Sequence, residues 1–102
     1  MTILITGATS AKAYRLKKQF ETDNLLLGDY LELPPSMVNS GKLIQLPSPL
    51  KSSYAHEMLT LCLDKGIEQV IVLNGNEMEA LKPVEQLFAE YNIIIKEIND
   101  KL

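Results

Sequence analysis

Short, continuous apolar runs alternate along this chain with longer amphipathic stretches. Ile3-Leu4-Ile5 is the first run, and its unbroken apolar character predicts a strand covered on both faces. Gly7 then permits a tight turn, Ser10 is placed to cap a helix, and Ala13, Leu16 and Phe20 recur at helical spacing. Leu25-Leu26-Leu27 reads as a second buried strand, stopped by Gly28-Asp29. Pro34-Pro35 removes two backbone donors, so Leu31 to Ser40 reads as a loop. Lys42 to Leu46 is a weaker strand signal, closed by Pro47-Ser48-Pro49. A helix is expected from about Ser52 to Lys65, with Ala55, Met58, Leu59 and Cys62 on one face and Gly66 as its stop.

The last third repeats the alternation. Val70-Ile71-Val72-Leu73 is the clearest strand, followed by Asn74-Gly75. Asn76 and Glu79 have the spacing of a capping box. Leu81, Val84, Phe88 and Tyr91 form a helical stripe interrupted by Pro83. An interior proline removes a hydrogen bond, so a kink near Lys82, or a helix starting at Pro83, is expected. Ile93-Ile94-Ile95 closes the chain as another buried strand. Strands without internal alternation, separated by helices, imply a parallel sheet sandwiched between helical layers. Right-handed crossovers leave few arrangements. The expected fold is α/β and Rossmann-like: a five-stranded parallel sheet of order 3-2-1-4-5 in three α/β/α layers, with three main helices.

With 102 residues the chain is read as a single domain over residues 1–102. The net charge of −3 gives no electrostatic reason to expect nucleic acid. Cys62 is the one cysteine, which rules out an internal disulfide and points to a reducing compartment. No apolar run is long enough for a signal peptide or a membrane span, so a cytoplasmic location is expected.

Candidate chemistry concentrates where strands end. The turn Gly7-Ala8-Thr9-Ser10-Ala11 offers backbone amides at a helix start and two hydroxyls, a combination suited to an anion. Asp29 ends the second strand about twenty residues on, where dinucleotide folds place a ribose-binding acid. Glu77 and Glu79 follow the fourth strand, where they either face the ligand edge or favour the helix dipole. Against a dinucleotide site, Thr9 and Lys12 stand where the second and third glycines of G-x-G-x-x-G belong. In the T-G-x-x-x-G-x-G frame of short-chain dehydrogenases, Ala11 and Ala13 replace glycines, and no tyrosine is followed four residues later by lysine. The plainer reading is a turn and cap that the fold itself requires. His56 has no second histidine or cysteine cluster to form a metal site, and Cys62 is expected in the core. Lys12, Arg15, Lys17 and Lys18 spread around the first helix as a solvated face. A phosphoacceptor receiver domain fails because Leu46-Pro47, not an aspartate, ends the third strand.

The order and spacing of Ile3 to Ala13, Leu27-Gly-Asp-Tyr30, Leu46-Pro-Ser-Pro49, and Val70 to Leu73 followed by Glu77 resemble one family. It is the Rossmann-like amino-terminal (pre-ATP-grasp) domain of ATP-grasp carboxylate-amine ligases, as in carbamoyl-phosphate-synthase-like and biotin-carboxylase-like enzymes. The likeness runs to about Glu90. It implies a domain that packs against an ATP-grasp fold and helps shape the site of the substrate being ligated. It also implies that the ATP and metal residues lie in following domains, so this chain is expected to lack that machinery and not to be catalytic alone. Carried over, Gly7, Ala8, Thr9, Ser10, Asp29 and Glu77 would line the carboxyl edge of the sheet.

Two classes of function follow. The first is a non-catalytic interaction module, a free-standing domain that pairs with itself as a homodimer or with a separately encoded ATP-grasp ligase. An exposed apolar patch of several hundred Å² would mark it. The second is a small nucleotide-binding protein, taking NAD(P) or another nucleotide at the Gly7 turn and Asp29.

Overall fold

The computed structural model describes residues 2–8, 11–19, 24–41, 43–73 and 75–98. Five parallel strands form one sheet in the order β3-β2-β1-β4-β5. They are β1 (Thr2–Ile5), β2 (Asn24–Asp29), β3 (Ile44–Gln45), β4 (Gln69–Val72) and β5 (Ile94–Glu97). The helices are α1 (Ala11–Gln19), α2 (Pro35–Asn39), α3 (Tyr54–Lys65), α4 (Gly75–Leu81) and α5 (Glu85–Glu90). The expected strand order is therefore the observed one.

Each central strand sends alternate side chains to opposite faces. Ile3 and Ile5 of β1, Leu27 of β2 and Ile71 of β4 pack with Ala13 and Leu16 of α1. Leu4, Val70 and Val72 point the other way and pack with Tyr54, Met58 and Cys62 of α3, Leu81 of α4 and Phe88 of α5. These two clusters make the three layers. They also explain the unbroken apolar runs Ile3–Ile5 and Val70–Val72: both faces of these stretches are covered.

Several elements depart from expectation. β2 continues through Gly28 and Asp29, which pair with Ile44 and Gln45 of β3. Gly28 does not stop the strand because it is needed within it: a Cβ there would lie 2.9 Å from both the Ile44 carbonyl oxygen and Leu46 Cγ. The loop after β2 contains the short helix α2, in which Pro35 occupies the first turn, where a missing N–H costs nothing. α4 already begins at Gly75, so Asn76 lies inside the first turn and does not head a capping box. The interruption expected near Lys82 is a 3₁₀ turn over Lys82–Val84 that carries Pro83 and separates α4 from α5. Ile94 is 54% exposed while Ile95 is buried. β5 is an edge strand with one covered face, so its apolar run is only half buried. Tyr91, expected on the buried stripe, is half exposed just past α5. Gly66 ends α3 in the left-handed conformation, with φ 65°. The Ser10 cap, Phe20, and Lys42 at the start of the third strand signal lie outside the described residues.

Candidate functional site

The carboxyl ends of β1, β2 and β4 bring the chemically distinctive side chains together. Thr6 follows β1, Asp29 ends β2, and Glu77 lies in the first turn of α4 after β4. All three are at most 1% exposed. Tyr54, the first residue of α3, reaches in from the helical layer and donates its hydroxyl to Glu77 Oε2 at 3.0 Å. The Thr6 hydroxyl, whose oxygen accepts the Leu73 amide at 3.4 Å, is near enough to Glu77 to favour its charged form. Glu77 is thus tied to the start of α3.

Burial pushes the Glu77 carboxyl up to about 7; the nearby Asp29 charge adds to this, and the Tyr54 and Thr6 hydroxyls pull it back. Burial likewise raises Tyr54 well above the usual phenol range, with the Glu77 charge adding to it. The Tyr54 hydroxyl therefore stays a donor at any pH at which the fold exists.

Asp29 is held from its own side of the sheet. Its Oδ1 accepts the Leu31 amide at 3.1 Å, a local turn that short acidic side chains favour. Its carbonyl accepts the Leu46 amide at 2.8 Å and Gln45 Nε2 at 3.1 Å. The same Gln45 amide donates to the Tyr30 and Leu31 carbonyls, and Gln45 Oε1 accepts the Leu33 amide at 3.2 Å. One side chain thereby pins the whole exit from β2.

The Gly7 turn is present, with φ 71° at Gly7, a conformation that costs other residues roughly 1–2 kcal/mol. Yet the Ala8 amide, one of the donors expected for an anion, donates to the Gly28 carbonyl at 3.0 Å. Ala8 is itself buried. Thr9 and Ser10 lie outside the described residues, and Ala11 is the first residue of α1. Of the seven candidate positions, Asp29 and Glu77 come close enough for the charge of one to act on the other.

Sequence reasoning missed Thr6, Gln45 and Tyr54. Tyr54 left a signal: Tyr54, Met58 and Cys62 recur every fourth residue, and all three are buried. The expected stripe began one residue late, at Ala55. Thr6 and Gln45 left none, because their roles depend on which strands lie beside them. Elsewhere, His56 is exposed and Cys62 is fully buried, and burial pushes the Cys62 thiol up to about 12. Among the described residues, no group of three or more histidine, cysteine or acidic side chains could hold a metal ion. No helix among them is long and apolar enough to cross a membrane.

The edge above these residues is uneven. Pro49 and Leu50, between β3 and α3, face Asn76, Glu79 and Ala80 of α4 across an open cleft of about 370 Å³. Leu50 is 89% exposed, and Leu31, beyond the end of β2, is 51% exposed.

Comparison with known proteins gives relatives of fold and one family. The solved structure of L-threonine 3-dehydrogenase from Trypanosoma brucei is similar over 93% of this chain, with a TM-score of 0.60 and 16% identity. This chain covers 35% of that structure, and at such identity the likeness is one of fold alone. No protein of curated function matches. The model of the PylC-like N-terminal domain matches residues 2–96. That match, together with the 3-2-1-4-5 parallel sheet, makes this chain a member of the PylC-like N-terminal domain family, a domain of the pre-ATP-grasp type.

Proposed function

We propose that this chain is a non-catalytic interaction module whose carboxyl edge packs against the ATP-grasp fold of a carboxylate-amine ligase. The observation that carries this reading is the exposure of Leu31 and Leu50 beside acids that are sealed beneath the edge. Burying a leucine side chain is worth about 1.5–3 kcal/mol, so two of them mark a surface that gains from being covered. The acids do not reach solvent as a ligand-binding pair would. Asp29 accepts the Leu31 amide where a ribose hydroxyl would have to compete. The Ala8 amide is engaged with Gly28, and two neighbouring carboxyl groups disfavour a pyrophosphate. Nucleotide binding at Gly7, Ala8, Thr9, Ser10, Ala11, Asp29 and Glu77 is the competing reading.

The test joins two measurements on the purified chain. Amide NMR titration with ATP, NAD, NADP and FMN is expected to leave Gly7, Ala8 and Asp29 unmoved at millimolar ligand. Titration with an ATP-grasp fragment of a ligase from this family, lacking its own amino-terminal domain, is expected to shift Leu31 and Leu50. Leu50→Asp should weaken that association at least about tenfold, the loss of one buried leucine. Saturable nucleotide shifts at Gly7 and Asp29 would replace the proposal with the competing one. A concentration-dependent homodimer that occupies Leu31 and Leu50, without binding the fragment, would make a second copy the partner.

A further inference from the structure

β5 closes the sheet with one side open. Among the described strands it pairs with β4 alone. In a parallel ladder, alternate residues turn both backbone groups to the same neighbour. The Ile94 amide donates to the Glu68 carbonyl and the Ile98 amide to the Val72 carbonyl, so Ile94, Lys96 and Ile98 face β4. Ile95 and Glu97 therefore turn their backbone groups outward, where none of the described residues bonds them. Along the same side runs a groove of about 350 Å³ between Glu85, Gln86 and Ala89 of α5 and the stretch from Ile93 to Ile95. Ile95 packs with Phe88 of α5, whereas Ile94 points to the other face and is 54% exposed. We propose that this edge pairs with the same edge of a second copy, β5 running antiparallel to β5 about a two-fold axis normal to the sheet.

The strand's own sequence selects this occupant. Such a pairing of identical strands is centred on one residue, because opposed side chains must share a face. Centred on Lys96, it sets two lysines directly opposite each other, which is unfavourable for like charges. Centred on Ile94, it aims the Ile95 amide at Ile93, whose own N–H is already given to the Phe88 carbonyl, so no mutual pair of bonds forms. Centred on Ile95, the Ile95 amide and carbonyl of each copy meet those of the partner's Ile95, and each charge stands opposite an isoleucine. Ile94 then lies opposite the partner's Lys96 in a closely facing, non-hydrogen-bonded pair. The aliphatic stem of that lysine covers Ile94 while its ammonium stays in water. The partner's Ile95, on the α5 face, fills the open side of the groove. An unrelated strand would have to reproduce this alternation; a second copy supplies it. A strand of 4 residues and one groove are small against the roughly 800 Å² per partner of a standard interface, so the dimer is weak and reversible. The pairing involves neither Leu31 nor Leu50, and it stands or falls separately from docking at the carboxyl edge.

The test is a dilution series of the purified chain from about 1 mM to about 10 μM, read by sedimentation equilibrium and by amide exchange. The Ile95 amide is expected to be protected at the high end and to exchange freely at the low end. The Ile94 amide, bonded to Glu68, should stay protected throughout. A mixture of isotope-labelled and unlabelled chain should give a cross-chain contact between the α-protons of Ile94 and Lys96. Substitutions at the exposed Ile94 then check the register. Ile94→Lys opposes like charges and should weaken dimerisation at least about tenfold, whereas Ile94→Glu faces the partner's Lys96 and should stay within about threefold of the parent. Adding Lys96→Glu to Ile94→Lys should recover what the single change loses. A chain that stays monomeric throughout would overturn the proposal, as would an Ile95 amide indifferent to concentration. Equal weakening by Ile94→Lys and Ile94→Glu, or a dimer whose cross-chain contacts fall at Leu31 and Leu50, would overturn it too. Should a variant disturb the monomer fold, the cross-chain contact and Ile95 exchange in the parent chain decide alone.

Discussion

The Ala8 amide donates to the Gly28 carbonyl at 3.0 Å, which fastens the turn leaving β1 to the end of β2. In a phosphate-binding turn such amides face outward to a ligand. Here this donor is spent within the fold, and the strand that receives it is itself packed tightly against β3. The Gly7 turn and Gly28 thus serve one purpose, the close approach of β1, β2 and β3 at their carboxyl ends.

That closeness predicts opposite outcomes at two glycines. Gly28→Ala would put a methyl group 2.9 Å from the Ile44 carbonyl oxygen, where backbone must move, and should cost at least about 1–3 kcal/mol. Gly75→Ala meets nothing within 4 Å at the start of α4, and should stabilise the chain by up to about 1 kcal/mol through helix propensity. Urea unfolding of both variants measures the difference.

Stability should depend on pH through Glu77. Its folded carboxyl lies at about 7 against an ordinary 4.5, so between these values the folded chain binds the extra proton. Stability from this group is full below about pH 4.5 and is lost as pH rises through about 7. The loss is about 3 kcal/mol at most. Unfolding curves from pH 5 to 8.5 should show the decline, and Glu77→Gln, which keeps an acceptor for Tyr54, should remove it.

Cys62 should be inert in the folded chain. It is fully buried, and burial pushes its thiol up to about 12, so at pH 8 it is neither charged nor accessible. A thiol reagent should react at least about a thousandfold more slowly than with the unfolded chain, as expected for a domain stable by about 5 kcal/mol. A rapid native reaction would show that α3 opens locally.

Gln45 should matter more than its exposure suggests. Gln45→Ala removes the donor to the carbonyls of Asp29, Tyr30 and Leu31 and the acceptor for the Leu33 amide. The expected cost is about 1 kcal/mol, since water replaces some of these bonds. Gln45→Glu keeps the acceptor but turns a carboxylate toward three carbonyls, and should cost more than alanine. Unfolding midpoints and the Leu33 amide shift report both.

Strand order was legible because β1 and β4 are covered on both faces and carry unbroken apolar runs, which require a parallel sheet with helices on each side. The same logic overreached at β5. Ile93, Ile94 and Ile95 look alike in sequence, yet Ile94 is exposed because an edge strand has only one covered face. Pro83 announced an interruption wherever it stood, and the 3₁₀ turn over Lys82–Val84 is that interruption. α2 was not announced, since a one-turn helix beginning with proline reads locally as loop.

By itself, then, the sequence determined the alternation of strands and helices, the 3-2-1-4-5 sheet, and the family to which the chain belongs. Those properties follow from local periodicity and from residues that punctuate elements. Only the tertiary structure decided that Tyr54 hydrogen-bonds Glu77, and that the Ala8 amide is already occupied. The reason is physical: a hydroxyl 23 residues from its carboxylate partner has no local signature. Its partner and its burial come into being only when three strands end side by side beneath α3 and α4.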